Sequence, residues 1–119
     1  MKIKEVSRRY GITADTLRYY ERIGLIRNVR RDKHGIRDYS DENCAAIEFI
    51  KCMRGANISI EGLQEYIALY QQGDTTRDAR KAILLGEREK LQQRMNAMET
   101  ALDRLNHKIA TYEQWERNS

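Results

Sequence analysis

The chain has 119 residues, 22 Lys and Arg against 18 Asp and Glu, a net charge of +4, and 40% hydrophobic residues. That suffices for one small domain with an appended element. A mean hydropathy of −0.81 and the lack of any apolar run near the ~20 residues of a membrane span exclude a transmembrane protein. The opening MKIKEVSRRYGI has no apolar stretch of signal-peptide length, so a cytoplasmic location is expected. Two cysteines, Cys44 and Cys52, are too few for a disulfide scaffold or a four-cysteine zinc site. No proline is present, which points to a mainly α chain.

The charge is unevenly spread. Residues 1–40 carry 11 Lys and Arg against five acids, a local charge of +6, and the remainder is −2. A basic head on a charge-mixed tail suits a polyanionic partner, although a solvated helical surface would read the same way. In the head, Ile3, Val6 and Tyr10 recur at helical spacing and Gly11 stops that helix. Thr13 is the expected N-cap of a second helix over Ala14 to Ile23, with Leu17 on its inward side and Gly24 at its end. Two short helices joined by a tight turn make a helix-turn-helix.

From Arg27 to Tyr39 the helical period disappears, and Asp32-Lys33-His34-Gly35 reads as the turn of a two-stranded, strongly basic wing. Ser40 caps a third helix running to about Arg54, and Ser59 a fourth with Ile60, Leu63, Tyr66, Ile67 and Tyr70 on one stripe. Gly73-Asp74 breaks the chain, so the expected domains are a DNA-binding head over residues 1–72 and a coiled-coil helix over 74–117.

In the tail, Leu84, Leu91, Met98, Leu105 and Tyr112 take heptad position d; Arg88, Met95, Leu102, Ile109 and Glu116 take position a. A stripe two positions wide in seven cannot be buried by its own helix, and some 35 residues span ~50 Å, too far for one small head to cover. A second copy is the expected partner, so Leu84, Leu91, Met95, Met98, Leu102, Leu105, Ile109 and Tyr112 are candidate dimerisation residues.

Candidate DNA contacts cluster on the second helix. Arg18, Tyr19 and Arg22 share a side opposite Leu17. An arginine fork fits guanine N7 and O6, while Thr16 and Tyr19 can donate to phosphate. Tyr20 reads better as a core aromatic.

The LRYYERIGLI stretch, preceded by Gly11 and Thr13 and followed by Arg37-Asp38-Tyr39, closely resembles the MerR family of bacterial transcription regulators. The resemblance covers residues 1 to about 70 by motif, and the tail matches the family's dimerisation helix in type. It implies a winged helix-turn-helix homodimer linked by an antiparallel coiled coil and bound to a palindromic operator in double-stranded promoter DNA. Bending and untwisting that promoter would let RNA polymerase meet both promoter elements in phase, so the inducer acts on the cost of deforming the duplex. Carried over by position, Thr13, Thr16, Arg18 and Tyr19 fall in the recognition helix and Arg37 and Tyr39 in the wing. Arg31 and His34 join as phosphate contacts on charge and placement.

The resemblance also bears on the signal. Metal-sensing members use cysteines near and beyond the start of the dimerisation helix; here none follows Cys52, and His107 sits at heptad position f. No metal and no cofactor are expected, and drug-binding members carry an effector domain for which this chain has no room. Cys52 lies in FIKCMRGA between Lys51 and Arg54, and nearby cations favour the nucleophilic thiolate. With Tyr70-Gln-Gln-Gly-Asp74 and Ala79-Arg-Lys, that context resembles the NmlR or AdhR branch, whose members respond to reactive aldehydes or nitrosative stress through one cysteine. Cys44 has no flanking cation, and eight residues of helix hold the two thiols too far apart for a disulfide. An inert Cys52 with a small ligand held between head and coiled coil is the alternative within the family. Outside it stands a coiled-coil adaptor that binds protein. An enzyme is not expected, since no Ser/His/Asp grouping, phosphate loop or His-Glu metal motif is present.

Overall fold

The computed structural model describes residues 1–118. Its order is α1 (Ile3–Tyr10), α2 (Ala14–Arg22), β1 (Arg30–Arg31), β2 (Arg37–Asp38), α3 (Asp41–Gly55), α4 (Ile60–Gln71), a 3-10 turn (Asp74–Thr76) and α5 (Arg77–Asn118). Backbone contacts separate two units, one up to Leu84 and one from Leu85 onward.

The head is assembled from short helices that local chemistry starts and stops. Gly11 ends α1 at φ +66°, a left-handed conformation that glycine adopts without a Cβ penalty, and its N–H donates to the Ser7 carbonyl. Thr13 opens α2 by accepting the Thr16 N–H on its side chain. Ser40 opens α3 through a full capping box: its hydroxyl accepts the Asn43 N–H while Asn43 Oδ1 accepts the Ser40 N–H. Ser59 opens α4 by accepting the Gly62 N–H. The chain also takes left-handed backbone at Asn28 (φ 59°) and Asn57 (φ 64°), two corners the sequence reading did not assign.

β1 and β2 pair antiparallel, Arg30 with Asp38 and Arg31 with Arg37. Strands of two residues cannot hold themselves, so the turn does much of the work. Asp32 Oδ1 accepts from the His34 N–H at 2.8 Å and the Ile36 N–H at 3.0 Å. Gly35 completes the turn at φ +77°.

Six side chains form the driest part of the core: Val6, Leu17, Leu25, Ile26, Ile47 and Ile50. They come from α1, α2, the segment after α2, and α3, so one small cluster fixes these elements together. Tyr20, as expected, packs at its edge. Two amide side chains add backbone links: Asn43 donates to the Arg27 carbonyl at 2.9 Å and Gln64 to the Ile23 carbonyl at 3.0 Å.

α5 is one continuous helix of 42 residues with no fully buried residue. Leu84, Met95, Met98, Leu102, Leu105, Ile109 and Tyr112 are exposed, and Leu91 is half-buried. Leu85 and Trp115, absent from the expected stripe, are exposed as well. Among the described residues, no helix is long and apolar enough to cross a membrane.

Because Leu17 is fully buried on α2, Leu17→Ala is expected to cost ~2–5 kcal/mol in denaturant unfolding. Ile36→Ala, at an exposed wing position, should stay within about 0.5 kcal/mol. Similar losses for the two would contradict the assigned core.

Candidate nucleic-acid interface

α2 turns Leu17 inward and leaves Arg18, Tyr19 and Arg22 on the surface. The Arg18 guanidinium lies 2.9 Å from Asp15 Oδ1, an ion pair open to solvent on both sides. Such a pair is worth little and gives way readily, so it orients the arginine without locking it. The Arg22 guanidinium sits 5.3 Å from the centre of the Tyr19 ring, a cation–π stack that stiffens both side chains. Thr13 donates its hydroxyl proton to Thr16 Oγ1 at 2.8 Å. The Thr16 hydroxyl proton is then the one available to a phosphate oxygen.

The wing is tied to the rest of the head at several points. Arg37 Nε lies 2.7 Å from Glu21 Oε1, with both side chains about three-quarters buried. Lys2 Nζ lies 2.8 Å from Asp32 Oδ2, and the Met1 ammonium lies 2.8 Å from Asp38 Oδ1. The Tyr39 N–H donates to the Met1 carbonyl at 2.8 Å. Arg31 braces the turn by donating to the Gly35 carbonyl at 3.2 Å. The His34 and Lys33 side chains are exposed.

One candidate contact is corrected. Tyr39 is only 3% exposed and belongs to the core cluster. Its hydroxyl is buried and has no hydrogen-bond partner among the described residues. Burial pushes that phenol above its ordinary value. The chain turns Tyr39 inward just past β2, where an aromatic ring gains more by leaving water than by waiting for a phosphate. Glu21, Asp32 and Lys2, which hold the wing in place, were missed. Glu21 and Arg37 stand 16 residues apart, and no periodicity links them.

The thiols differ sharply. Cys52 is exposed and Cys44 is buried. Cys44 lies against Tyr10, whose phenol is pushed up by desolvation and by a hydrogen bond with that thiol. Of the cations flanking Cys52 in sequence, Arg54 is bonded to backbone and Lys51 reaches toward Gly11. Arg54 Nη1 donates to the Ile58 carbonyl at 2.6 Å. Lys51 Nζ lies 3.7 Å from where a Cβ on Gly11 would stand, at the negative end of α1. The accessibility of Cys52, rather than a cation at its side, is what distinguishes it. Among the described residues, no group of three His, Cys, Asp or Glu side chains could hold a metal ion.

Residues 1–69 match the family described as MerR HTH family regulatory protein, and residues 44–108 match the MerR, DNA binding family. The chain belongs to the MerR family. It is 56% identical over 91 residues to the HTH-type transcriptional regulator AdhR of Bacillus subtilis (strain 168), a match that takes in 76% of this chain and 65% of AdhR. It is 40% identical over 74 residues to HmrR of Rhizobium leguminosarum bv. viciae, covering 62% of this chain and 57% of HmrR. The chain thus spans less than two thirds of these two MerR relatives. A MerR family transcriptional regulator from Listeria monocytogenes superposes with a TM-score of 0.91 at 44% identity, covering 95% of this chain and 86% of the other. HiNmlR, a MerR family regulator lacking the sensor domain and bound to promoter DNA, superposes with a TM-score of 0.85 at 25% identity, covering 95% and 90%.

The Lys2 bond and the two backbone N–H groups hold Asp32 well below its ordinary 3.8, at about 2. The folded value lies below the unfolded one, so its contribution to the wing is fully present above pH ~4 and is lost as pH falls through ~2. A carbon-detected NMR titration should show the Asp32 carboxylate ionised at pH 3. A midpoint near the ordinary carboxylate value would contradict the turn geometry.

Proposed function

We propose that this chain is a sequence-specific DNA-binding transcription regulator. It acts as a homodimer on a palindromic operator, with α2 in the major groove and the wing on the adjacent phosphates. The observation that carries this reading is the tethered basic wing beside the exposed Arg18, Tyr19 and Arg22 face, in a chain whose fold matches HiNmlR on promoter DNA along 95% of its length. Arg18 and Arg22 address the base edges of the groove, and Thr16, Tyr19, Arg31, His34 and Arg37 the phosphate backbone. Thr13 acts by capping α2, and Tyr39 by packing beneath the wing. No catalytic step is assigned to any residue.

Dimerisation runs through the α5 stripe from Leu84 to Tyr112. Seven of its apolar side chains lie in water on a single chain, and exposed stripes of this kind favour pairing. The two helices run antiparallel, so the two heads address the two operator halves. Regulation then follows from deforming the promoter that RNA polymerase reads, and the working location is the cytoplasm.

The signal is a reactive carbonyl met by Cys52. Attack of the sulfur on an aldehyde carbon forms a carbon–sulfur bond, the carbonyl π pair moves to oxygen, and the thiol proton ends on that oxygen as a hemithioacetal. The addition needs no oxidant. It adds a polar group at the last turn of α3, where Arg54 and Ile58 close the α3–α4 corner.

Two measurements test the two halves of this reading. Arg18→Ala should weaken specific operator binding by ~1–3 kcal/mol, while Arg31→Ala should chiefly reduce the dependence of affinity on salt. Equal losses on operator and random duplex for Arg18→Ala would contradict base readout. In a promoter-reporter assay with formaldehyde or methylglyoxal, Cys52→Ser should lose induction while keeping operator binding. Full induction in that variant would sink the thiol reading and leave the alternative of a small non-covalent effector.

A further inference from the structure

One acid joins the helix that carries the base contacts to the wing. Glu21 Oε1 lies 2.7 Å from Arg37 Nε, and both side chains are about three-quarters buried. Among the described residues no other ion pair links α2 with the wing. Asp15 meets Arg18 inside α2, while Asp32 and Asp38 meet Lys2 and the Met1 ammonium, both ahead of α1. The bond leaves from Nε, so the two terminal nitrogens of the Arg37 guanidinium keep their N–H groups for another acceptor. The pair also lies within electrostatic reach of the buried Tyr39 phenol, which burial raises most and on which Arg37 and Glu21 then act in opposite senses. Glu21 stands three positions after Arg18 and one before Arg22, at the rim of the face that reads the groove.

We infer that Glu21 is a specificity-determining positioning residue, which lets Arg37 take a phosphate only in register with α2 in the groove. The inference rests on the DNA-binding reading above and deepens it. An unpaired arginine on a wing of two-residue strands would follow the phosphates of any duplex, because attraction to a polyanion carries no sequence information. Bonded to Glu21, the guanidinium has its place and plane fixed relative to Arg18 and Arg22. The carboxylate also offsets its charge at any distance beyond contact. Diffuse attraction falls, and the directional N–H donors remain. A duplex with the right bases seats α2, and the phosphate beside the wing then meets a fork already aimed at it. A wrong sequence holds α2 off, and the same fork finds no phosphate in line. Glu21 touches no base; it converts the seating of α2 into a backbone contact. The Asp15–Arg18 pair cannot do this, since it lies within one helix and opens to solvent at small cost.

Binding of the full-length protein to its operator and to a random duplex of equal length, each across a salt series, tests the inference. Glu21→Gln and Asp15→Asn each delete one negative charge near the duplex, so both should bind random DNA more tightly. With Asp15→Asn the operator should gain as much, which leaves the operator-to-random ratio unchanged. With Glu21→Gln that ratio should fall roughly tenfold. Its salt dependence on random duplex should steepen by about one phosphate contact. Glu21→Asp keeps the charge but is one methylene too short for Arg37; it should lower the ratio as well, and it guards against a Glu21→Gln chain that fails to fold. In an Arg37→Gln background, Glu21→Gln should change the ratio no further. A wild-type ratio in both Glu21 variants, or an equal gain on the two duplexes for Glu21→Gln, overturns the inference alone. A wild-type protein with no preference for its operator overturns the DNA-readout reading and the inference with it.

Discussion

α2 has nine residues and would not hold a helical conformation in water by itself, so its direction is set by what Leu17 packs against. That side chain is fully buried among Val6, Ile47 and Ile50. Once it is fixed, the helical repeat sends Arg18, Tyr19 and Arg22 outward. The wing obeys the same constraint at one remove. Two paired residues per strand supply almost no cohesion, and Glu21, on α2, reaches across to Arg37. Helix and wing present one surface because both refer back to the same small core.

That surface is partly neutralised by its own acids. Asp15 meets Arg18, Glu21 meets Arg37, and Asp32 meets Lys2. These pairs differ in burial. The Asp15–Arg18 contact is screened by water and can be exchanged for a base or phosphate at small cost. The Glu21–Arg37 pair is more enclosed, so breaking it would strand a carboxylate near the duplex. Arg37 is therefore suited to meet phosphate while still bonded to Glu21, and Arg18 to let Asp15 go.

Much of the head was legible in the sequence because its helix ends use side chains that act within three residues. Thr13, Ser40 and Ser59 cap where expected, and Gly11 and Gly35 take positive φ. The tail was legible because an apolar stripe is a periodic signal. What escaped was non-local. The inward turn of Tyr39, the reach from Glu21 to Arg37, and the bond from Arg54 to the Ile58 carbonyl all depend on tertiary packing. Of the cations beside Cys52 in sequence, Arg54 is bonded to the Ile58 carbonyl, and it is exposure that distinguishes Cys52 from Cys44. Asn28 and Asn57 turn corners that sequence rules assign more readily to glycine.

A footprint of the intact protein on the DNA upstream of its own gene is the most direct test of a dimer that reads and deforms a promoter. One protected stretch with inverted half-sites is the predicted result, with enhanced cleavage at its centre where the duplex is distorted. Uniform, salt-sensitive protection without a preferred site would contradict it.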